Sequence, residues 1–198
     1  TPDLPTKLYL PFLESSINSL SFDPWNVWLK QNGDITAFPY GYIMWFALLP
    51  FYLISDALGI EPIYGYGLTL IITDILILYL IVTFINYKYK KALIYYWLSP
   101  VLIFTIYAMG FNDTIPILFL LVSIVFLKKH RYFYSGVFYT LAVSAKLSMI
   151  VLLPIYILYF VNNKSVKLYL GNFLGGVISF IVLIILPFFY TDGIHMLA

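Results

Sequence analysis

The stretch ALIYYWLSPVLIFTIYAMGFNDTIPILFLLVSIVFLKKHRYFYSGVFYTLAVSAKLSMIVLLPIYILYFV, residues 92–161, decides the fold of this chain. It consists of four apolar arms joined by three short polar turns, which are Phe-Asn-Asp at 111–113, Lys-Lys-His-Arg at 128–131, and Lys146 alone. Clusters of Lys and Arg lie on the cytoplasmic side of membrane proteins. The basic turn is therefore predicted to be cytoplasmic, and Asp113 and Lys146 are predicted to lie on the opposite side.

The two middle arms, 114–127 and Tyr132–Ala145, are too short to cross a bilayer. Fourteen residues at helical rise reach about 21 Å, whereas the hydrocarbon layer is roughly 30 Å thick. We therefore expect the turns that carry Asp113 and Lys146 to lie below the outer surface of the membrane. Charges at that depth are costly unless they pair or line a wet cavity, so these residues predict a functional site.

The composition is that of a polytopic membrane protein. Of the 198 residues, 62% are hydrophobic and 10% are charged, and the mean hydropathy of +0.92 lies far from that of a soluble domain. Six or seven apolar segments fill the chain without a linker between them. We predict an all-α membrane helical bundle that forms one domain over residues 1–198, with an external loop at 1–39 and transmembrane helices over 40–198.

The polar region 1–39 is expected to lie along the membrane surface. Apolar residues recur there at helical spacing, at Leu10, Leu13, Ile17 and Leu20, which predicts an amphipathic interfacial helix. Trp25 and Trp28 are predicted to anchor the following residues in the headgroup layer. The chain has neither a signal peptide nor an apolar anchor before residue 40, so we expect it to be a fragment of a longer protein.

Two features of the middle of the chain each allow two interpretations. The apolar segment 42–58 is interrupted by Pro50, and it either crosses the membrane or is re-entrant or buried within the fold. Asp74 lies inside the next apolar segment. Its carboxylate either makes a hydrogen bond between helices or faces a cavity.

The inventory of reactive side chains excludes several chemistries. Cys is absent, which removes disulfides and thiolate nucleophiles, and no His-based triad or metal spacing is present. The basic turns need only be cytoplasmic, and they predict no nucleic-acid site. The remaining groups suit transfer from a phosphate leaving group to a hydroxyl acceptor. A carboxylate such as Asp3 could accept the hydroxyl proton, while a desolvated Lys would stabilise charge on the departing phosphate.

Several motifs resemble the central module of the GT-C superfamily of glycosyltransferases. They are Ser99-Pro100, Ala108 to Asp113 (AMGFND), Leu127 to Lys129 (LKK), Gly136 to Ala142 (GVFYTLA), Ala145-Lys146 and Leu153-Pro154. The similarity is greatest to the catalytic subunit of GPI mannosyltransferase I and its bacterial relatives. Upstream, Phe38-Pro39-Tyr40, Thr73-Asp74 and Thr1-Pro2-Asp3 are similar to the aromatic-proline element, the intramembrane Asp and the first-loop acidic motif of that superfamily.

The resemblance implies a membrane enzyme that uses a polyprenyl- or dolichyl-phosphate sugar. It implies that Asp3 is the catalytic base, that Asp113 is a second acidic residue of the catalytic site and that Lys146 contacts the lipid phosphate. The further substrate-binding residues that we predict are Asn112, Tyr40 and Asp74. Neither a cofactor nor a metal is indicated. The chain departs from the superfamily in having a single acid at the first-loop motif and about half the usual length, so we expect acceptor-binding residues to be missing.

Our leading hypothesis is transfer of a sugar such as mannose from the lipid-phosphate carrier to a glycan, lipid or protein acceptor on the non-cytoplasmic side. The membrane would be the inner membrane of a bacterium or the endoplasmic reticulum of a eukaryote. An alternative is a transporter or lipid flippase in which Asp74, Asp113 and Lys146 line the substrate path. A third interpretation is a non-catalytic scaffold of a larger envelope complex.

Overall fold

A computed structural model describes residues 3–19, 21, 23–84 and 89–185. Every regular element in this part of the chain is helical, in agreement with the predicted all-α class. The α-helices are α1 (Leu10–Asn18), α2 (Pro24–Lys30), α3 (Tyr42–Ala57), α4 (Pro62–Phe84), α5 (Tyr89–Ala92), α6 (Pro100–Leu102), α7 (Thr114–Lys128), α8 (Tyr132–Ala145), α9 (Leu153–Asn162) and α10 (Leu170–Ile185). Short π- or 3-10-helical turns occupy Pro5–Tyr9, Leu93–Trp97, Ile103–Ala108, Leu147–Leu152 and Lys167–Tyr169.

Helix lengths decide which elements can cross a membrane. Among the described helices, α4 alone is long and apolar enough, with 23 residues. A second crossing is possible if Tyr89–Trp97 and Pro100–Ala108, two pieces bent by 48° and here called the bent segment, act together. The other apolar helices have 10 to 17 residues. A polytopic bundle with six or seven spans is therefore not confirmed, and residues 85–88 and 186–198 of the predicted transmembrane region lie outside the described part.

The described residues between 3 and 38 pack onto α3 and form part of the main core. Phe12 and Leu13 of α1 are completely buried, and the ring of Phe12 stacks on that of Phe38 at 4.5 Å. Trp25 has no exposed surface, and its indole N–H donates to the carbonyl oxygen of Phe38 at 3.1 Å. The predicted headgroup anchor at Trp25 is therefore wrong, because the indole finds its hydrogen-bond partner inside the fold. Leu20 lies outside the described residues.

The α7–α8 hairpin matches its prediction to within one residue at each end. The backbone of His130 adopts positive φ in the tight basic turn, and the Ser123 hydroxyl donates to the Ser135 carbonyl oxygen at 2.7 Å across the two helices. Helix α10 approaches α8 very closely. A Cβ on Gly176 would lie 2.2 Å from the carbonyl oxygen of Phe133, so the two backbones touch there.

The ends of α7 and α8 are held in place by α3 and α4. The Gly41 N–H, just before α3, donates to the carbonyl oxygen of Ser144 at 3.0 Å. Halfway along α4, the Thr73 hydroxyl donates to that of Thr114 at 3.0 Å. Helix α3 runs unbroken through Pro50 and spans about 24 Å from its 16 residues. The start of α7 and the end of α8 are thereby brought to one place.

Candidate active site

Asp113 and Lys146 form an ion pair at this meeting point. The Lys146 ammonium contacts Asp113 Oδ1 directly. The side chain of Lys146 is 30% exposed and that of Asp113 is 41% exposed. Asp113 is the cap residue before α7, and Lys146 follows α8 in an extended conformation. The predicted juxtaposition of these two residues is confirmed. The pair is partly desolvated yet reachable, which suits groups that meet a substrate.

Tyr66 fixes the turn that carries Asp113. Its hydroxyl donates to the carbonyl oxygen of Gly110 at 2.6 Å, and Gly110 has a φ of 71°, a conformation that side chains disfavour. The Phe111 N–H donates to the carbonyl oxygen of Thr105 at 3.0 Å, which closes the turn from the other side. Sequence reasoning missed Tyr66. The signal available was a phenol within an apolar helix, because a buried tyrosine hydroxyl requires a partner.

A pair of buried tyrosines lies close to Asp113. The hydroxyls of Tyr9 and Tyr40 are 3.0 Å apart, and both residues belong to the main core. Burial raises the pKa of Tyr9, and the bond to Tyr40 and the negative charge of Asp113 raise this pKa further. The Tyr9 phenol therefore stays neutral and available as a hydrogen-bond donor. Tyr40 was predicted at the site, whereas Tyr9 was missed because 31 residues separate the two.

Two buried polar atoms flank the ion pair without a partner among the described residues. They are Nδ2 of Asn112 and Oγ of Ser144. Asn112 precedes Asp113 in sequence, and Ser144 lies two residues before Lys146. An unsatisfied buried donor costs on the order of 1–3 kcal/mol. A polar group that reached these atoms would relieve that cost.

A cavity of about 240 Å³ adjoins the pair. Its walls come from α4, the bent segment and the start of α7, and they include Ile77, Tyr96, Ser99, Ile106 and Phe111. Asp113 is the one charged residue among the described residues that line it. The cavity therefore offers a largely apolar space next to a carboxylate.

Asp74 does not line this cavity. It is completely buried, and its Oδ1 and Oδ2 accept hydrogen bonds from the hydroxyls of Tyr96 and Tyr107, each at 2.6 Å. Of the two interpretations left open by the sequence, the structure shows the hydrogen bond between elements. The contact of Asp74 with a substrate stays a prediction.

Asp3 lies apart from the ion pair. It is exposed, and its carboxylate pairs with Lys7 one turn later at 3.3 Å. Within the described residues, no hydrogen bond or salt bridge joins Asp3 to Asp113 or Lys146. Thr1 and Pro2 of the first-loop motif lie outside the described residues. The role of Asp3 as a base stays a prediction.

In the described ranges, no group of three or more His, Asp or Glu side chains is arranged to hold a metal ion. The side chains gathered around Asp113 and Lys146 are instead hydroxyls and one amide. The arrangement combines a carboxylate, an ammonium and neutral hydrogen-bonding groups beside an apolar space.

Comparison with known proteins identifies the family. The model of the ALG3 protein family matches residues 32–198, a range that contains Tyr40, Asp74, Asn112, Asp113 and Lys146 but begins after Asp3. Neither a curated protein nor a solved structure matches the chain. Members of the family are GT-C-type mannosyltransferases that depend on dolichyl-phosphate mannose and reside in the endoplasmic reticulum membrane.

This match supports the resemblance at the level of the GT-C type. It does not support the finer similarity to GPI mannosyltransferase I, because the family that matches is a different one. The apolar helices and the charged pair at their ends are consistent with the chemistry of the matched family. The chain belongs to the ALG3 protein family, and it is therefore a membrane glycosyltransferase that uses a dolichol-linked sugar.

Proposed function

We propose that this chain transfers mannose from dolichyl-phosphate mannose to a hydroxyl of a glycan acceptor, on the non-cytoplasmic side of the endoplasmic reticulum membrane. The observation that carries the proposal is the ion pair of Asp113 and Lys146 beside a largely apolar cavity. The family supplies the class of donor. The charge pattern of the turns supports a site on the non-cytoplasmic side of the membrane, because the basic turn at 128–131 lies at the other end of α7 and α8.

The donor has an apolar tail and an anionic phosphate, and the site offers a match for each. The cavity takes the first isoprene units of the tail, and the Lys146 ammonium contacts the phosphate. An ammonium has three donors, so Lys146 can bind the phosphate while it remains paired with Asp113. As the phosphate departs it gains negative charge, and a cation held in a partly desolvated place stabilises that charge most strongly.

The chemical step exchanges one C–O bond for another. The acceptor hydroxyl oxygen attacks the anomeric carbon of mannose, and the bond from that carbon to the phosphate oxygen breaks with its electron pair leaving on the phosphate. The hydroxyl proton passes to a carboxylate, for which we propose Asp3. Asp113, the second carboxylate of the site, orients Lys146 and the incoming hydroxyl.

Neutral groups around the pair bind the sugars. The Asn112 amide has an N–H with no partner among the described residues, and Tyr40 presents its hydroxyl together with that of Tyr9. Such groups hydrogen-bond to sugar hydroxyls, and the aromatic faces of the core can stack on a sugar ring. Asp74 is proposed to support the site from within the fold.

The test is transfer of radiolabel by membranes that contain the full-length protein. Labelled dolichyl-phosphate mannose should give labelled glycan, whereas labelled nucleotide-linked mannose should give none once synthesis of the lipid donor is blocked. Asp113→Asn should abolish the transfer. Asp56→Asn, which changes an exposed acid at the end of α3, is the matched control and should retain it. Wild-type transfer by Asp113→Asn at equal protein level would overturn the proposal.

A further inference from the structure

A single buried carboxylate connects the two halves of the bent segment. Tyr96 lies before the break at Ser99-Pro100 and Tyr107 lies after it, yet both hydroxyls donate to Asp74 of α4. Each tyrosine uses a different carboxylate oxygen. Asp74 is therefore a common attachment point for two pieces of backbone that a bend of 48° separates.

The backbone of the bent segment is irregular on both sides of the bend. The turns on both sides of the break are π-helical, Leu93–Trp97 and Ile103–Ala108, a geometry that is rare and occurs mostly as short local insertions. Ser99 is extended, with a ψ of 122°, and Pro100 cannot donate a backbone hydrogen bond across the break. At the break itself, the Ser99 N–H donates to the Tyr96 carbonyl oxygen and the Ser99 carbonyl oxygen accepts from the Ile103 N–H, each at 3.0 Å. Contacts with neighbouring elements add to these local bonds in setting the angle between the halves.

The bonds to Asp74 are suited to setting the angle. Both are 2.6 Å long, which is typical of a hydroxyl donating to a carboxylate. A fully buried carboxylate is costly unless it is hydrogen-bonded, and the described ion pairs, Lys7 with Asp3 and Lys146 with Asp113, do not include it. If either tyrosine moved away, one oxygen of a buried acid would lose its partner. The arrangement resists motion of both halves.

The same segment forms a wall of the cavity beside Asp113. Tyr96 itself lines the cavity, together with Ser99 at the break and Ile106 beyond it. We propose that Asp74 is a positioning residue that sets the angle of the bent segment and so the width of the cavity. In this proposal, which rests on the proposed function, Asp74 controls the fit of the isoprene units next to the phosphate from within the fold.

The first part of the test measures the angle without any substrate. The chain contains no Cys, so Tyr89→Cys and Phe104→Cys introduce one pair of labelling sites within it, both exposed and one on each half. Spin labels at these sites should give one narrow distance distribution in the parent protein. Tyr107→Phe, which removes one bond to Asp74, should broaden or shift it by several ångströms, and so should Asp74→Asn. An unchanged distribution in both variants would overturn the proposal.

The second part measures the kinetics with the lipid-phosphate donor. Tyr107→Phe should raise KM for this donor about 3-fold to 10-fold and change kcat less than 2-fold. Tyr64→Phe, an exposed tyrosine of α4, is the matched control and should behave as the parent. A broadened distance distribution with unchanged KM would overturn the link to the cavity. Absence of transfer in the parent would instead refute the proposed function, and the distance measurement would still decide whether Asp74 sets the angle.

Discussion

Tyr66 donates a hydrogen bond across 2.6 Å to the carbonyl oxygen of Gly110, three residues before Asp113. The bond joins the beginning of α4 to a turn in which Gly110 adopts positive φ. The carboxylate of the proposed site is thus positioned by a phenol 44 residues away from the turn in sequence. This relationship makes the geometry of the site sensitive to one hydroxyl group.

Tyr66→Phe should therefore lower kcat while the fold is retained. The turn loses its only bond to the phenol, and misplacement of a catalytic group by about 1 Å can cost on the order of 100-fold. We expect a 10-fold to 100-fold loss in kcat, measured by transfer from labelled donor. The free energy of unfolding should fall by about 1 kcal/mol. Tyr64→Phe is the control, because its hydroxyl lies on the exposed side of the same helix. Full kcat in Tyr66→Phe would show that the turn holds Asp113 by other means.

Gly41→Ala should destabilise the protein. A Cβ at this position would lie 2.3 Å from the carbonyl oxygen of Ser144, so the start of α3 would have to move away from the end of α8. Overpacking of this kind costs about 1–3 kcal/mol. Thermal unfolding in detergent should show the loss, and transfer should fall because Lys146 follows Ser144 closely. The matched variant is Gly67→Ala, where the added Cβ meets nothing within 4 Å. Equal stability of the two variants would contradict the close docking of α3 on α8.

Lys146→Met should remove most of the stabilisation of the departing phosphate. Loss of one group that stabilises developing charge costs about 100-fold to 1,000-fold in rate. We expect that reduction in kcat/KM for dolichyl-phosphate mannose, with partial recovery in Lys146→Arg. Lys30→Met changes an exposed lysine at the end of α2 and should have no effect. A near-normal kcat/KM in Lys146→Met would exclude contact of this ammonium with the phosphate.

Asp3→Asn tests the proposed base. Removal of a general base typically costs about 100-fold to 10,000-fold, so kcat should fall by that factor while KM for the donor stays constant. Lys7→Gln is the control, because it removes the partner of Asp3 in an exposed salt bridge of the kind that contributes about 0–1 kcal/mol. Retained kcat in Asp3→Asn would assign the proton transfer to another carboxylate.

The lengths of the apolar arms were sufficient to predict the central feature of the site. Two helices too short for a bilayer, 114–127 and Tyr132–Ala145, must end at similar depth when they share a turn, and their far ends bring Asp113 and Lys146 together. This argument needs only the position of polar residues along the chain. For the same reason, the hairpin bounds were predicted to within a residue.

Other features depend on contacts that a linear pattern does not encode. The first of the four apolar arms breaks at Ser99-Pro100, where the sequence contains the signal for a break, since the residue before proline avoids helical geometry. Trp25 is of a residue type that often anchors proteins at the membrane surface. Here it is a core residue, because the carbonyl oxygen of Phe38 accepts a hydrogen bond from its N–H. Tyr9 and Tyr66 reach the site through tertiary packing, which their own segments do not indicate.

The measurement that tests the central claim most directly is a double-mutant cycle on kcat/KM with Asp113→Asn, Lys146→Met and the combined variant. If the acid and the ammonium act as one unit, each single variant should lose most of the transfer activity, and the combined variant should lose little more. Losses that simply multiply, or single variants that transfer mannose at the normal rate, would contradict the account.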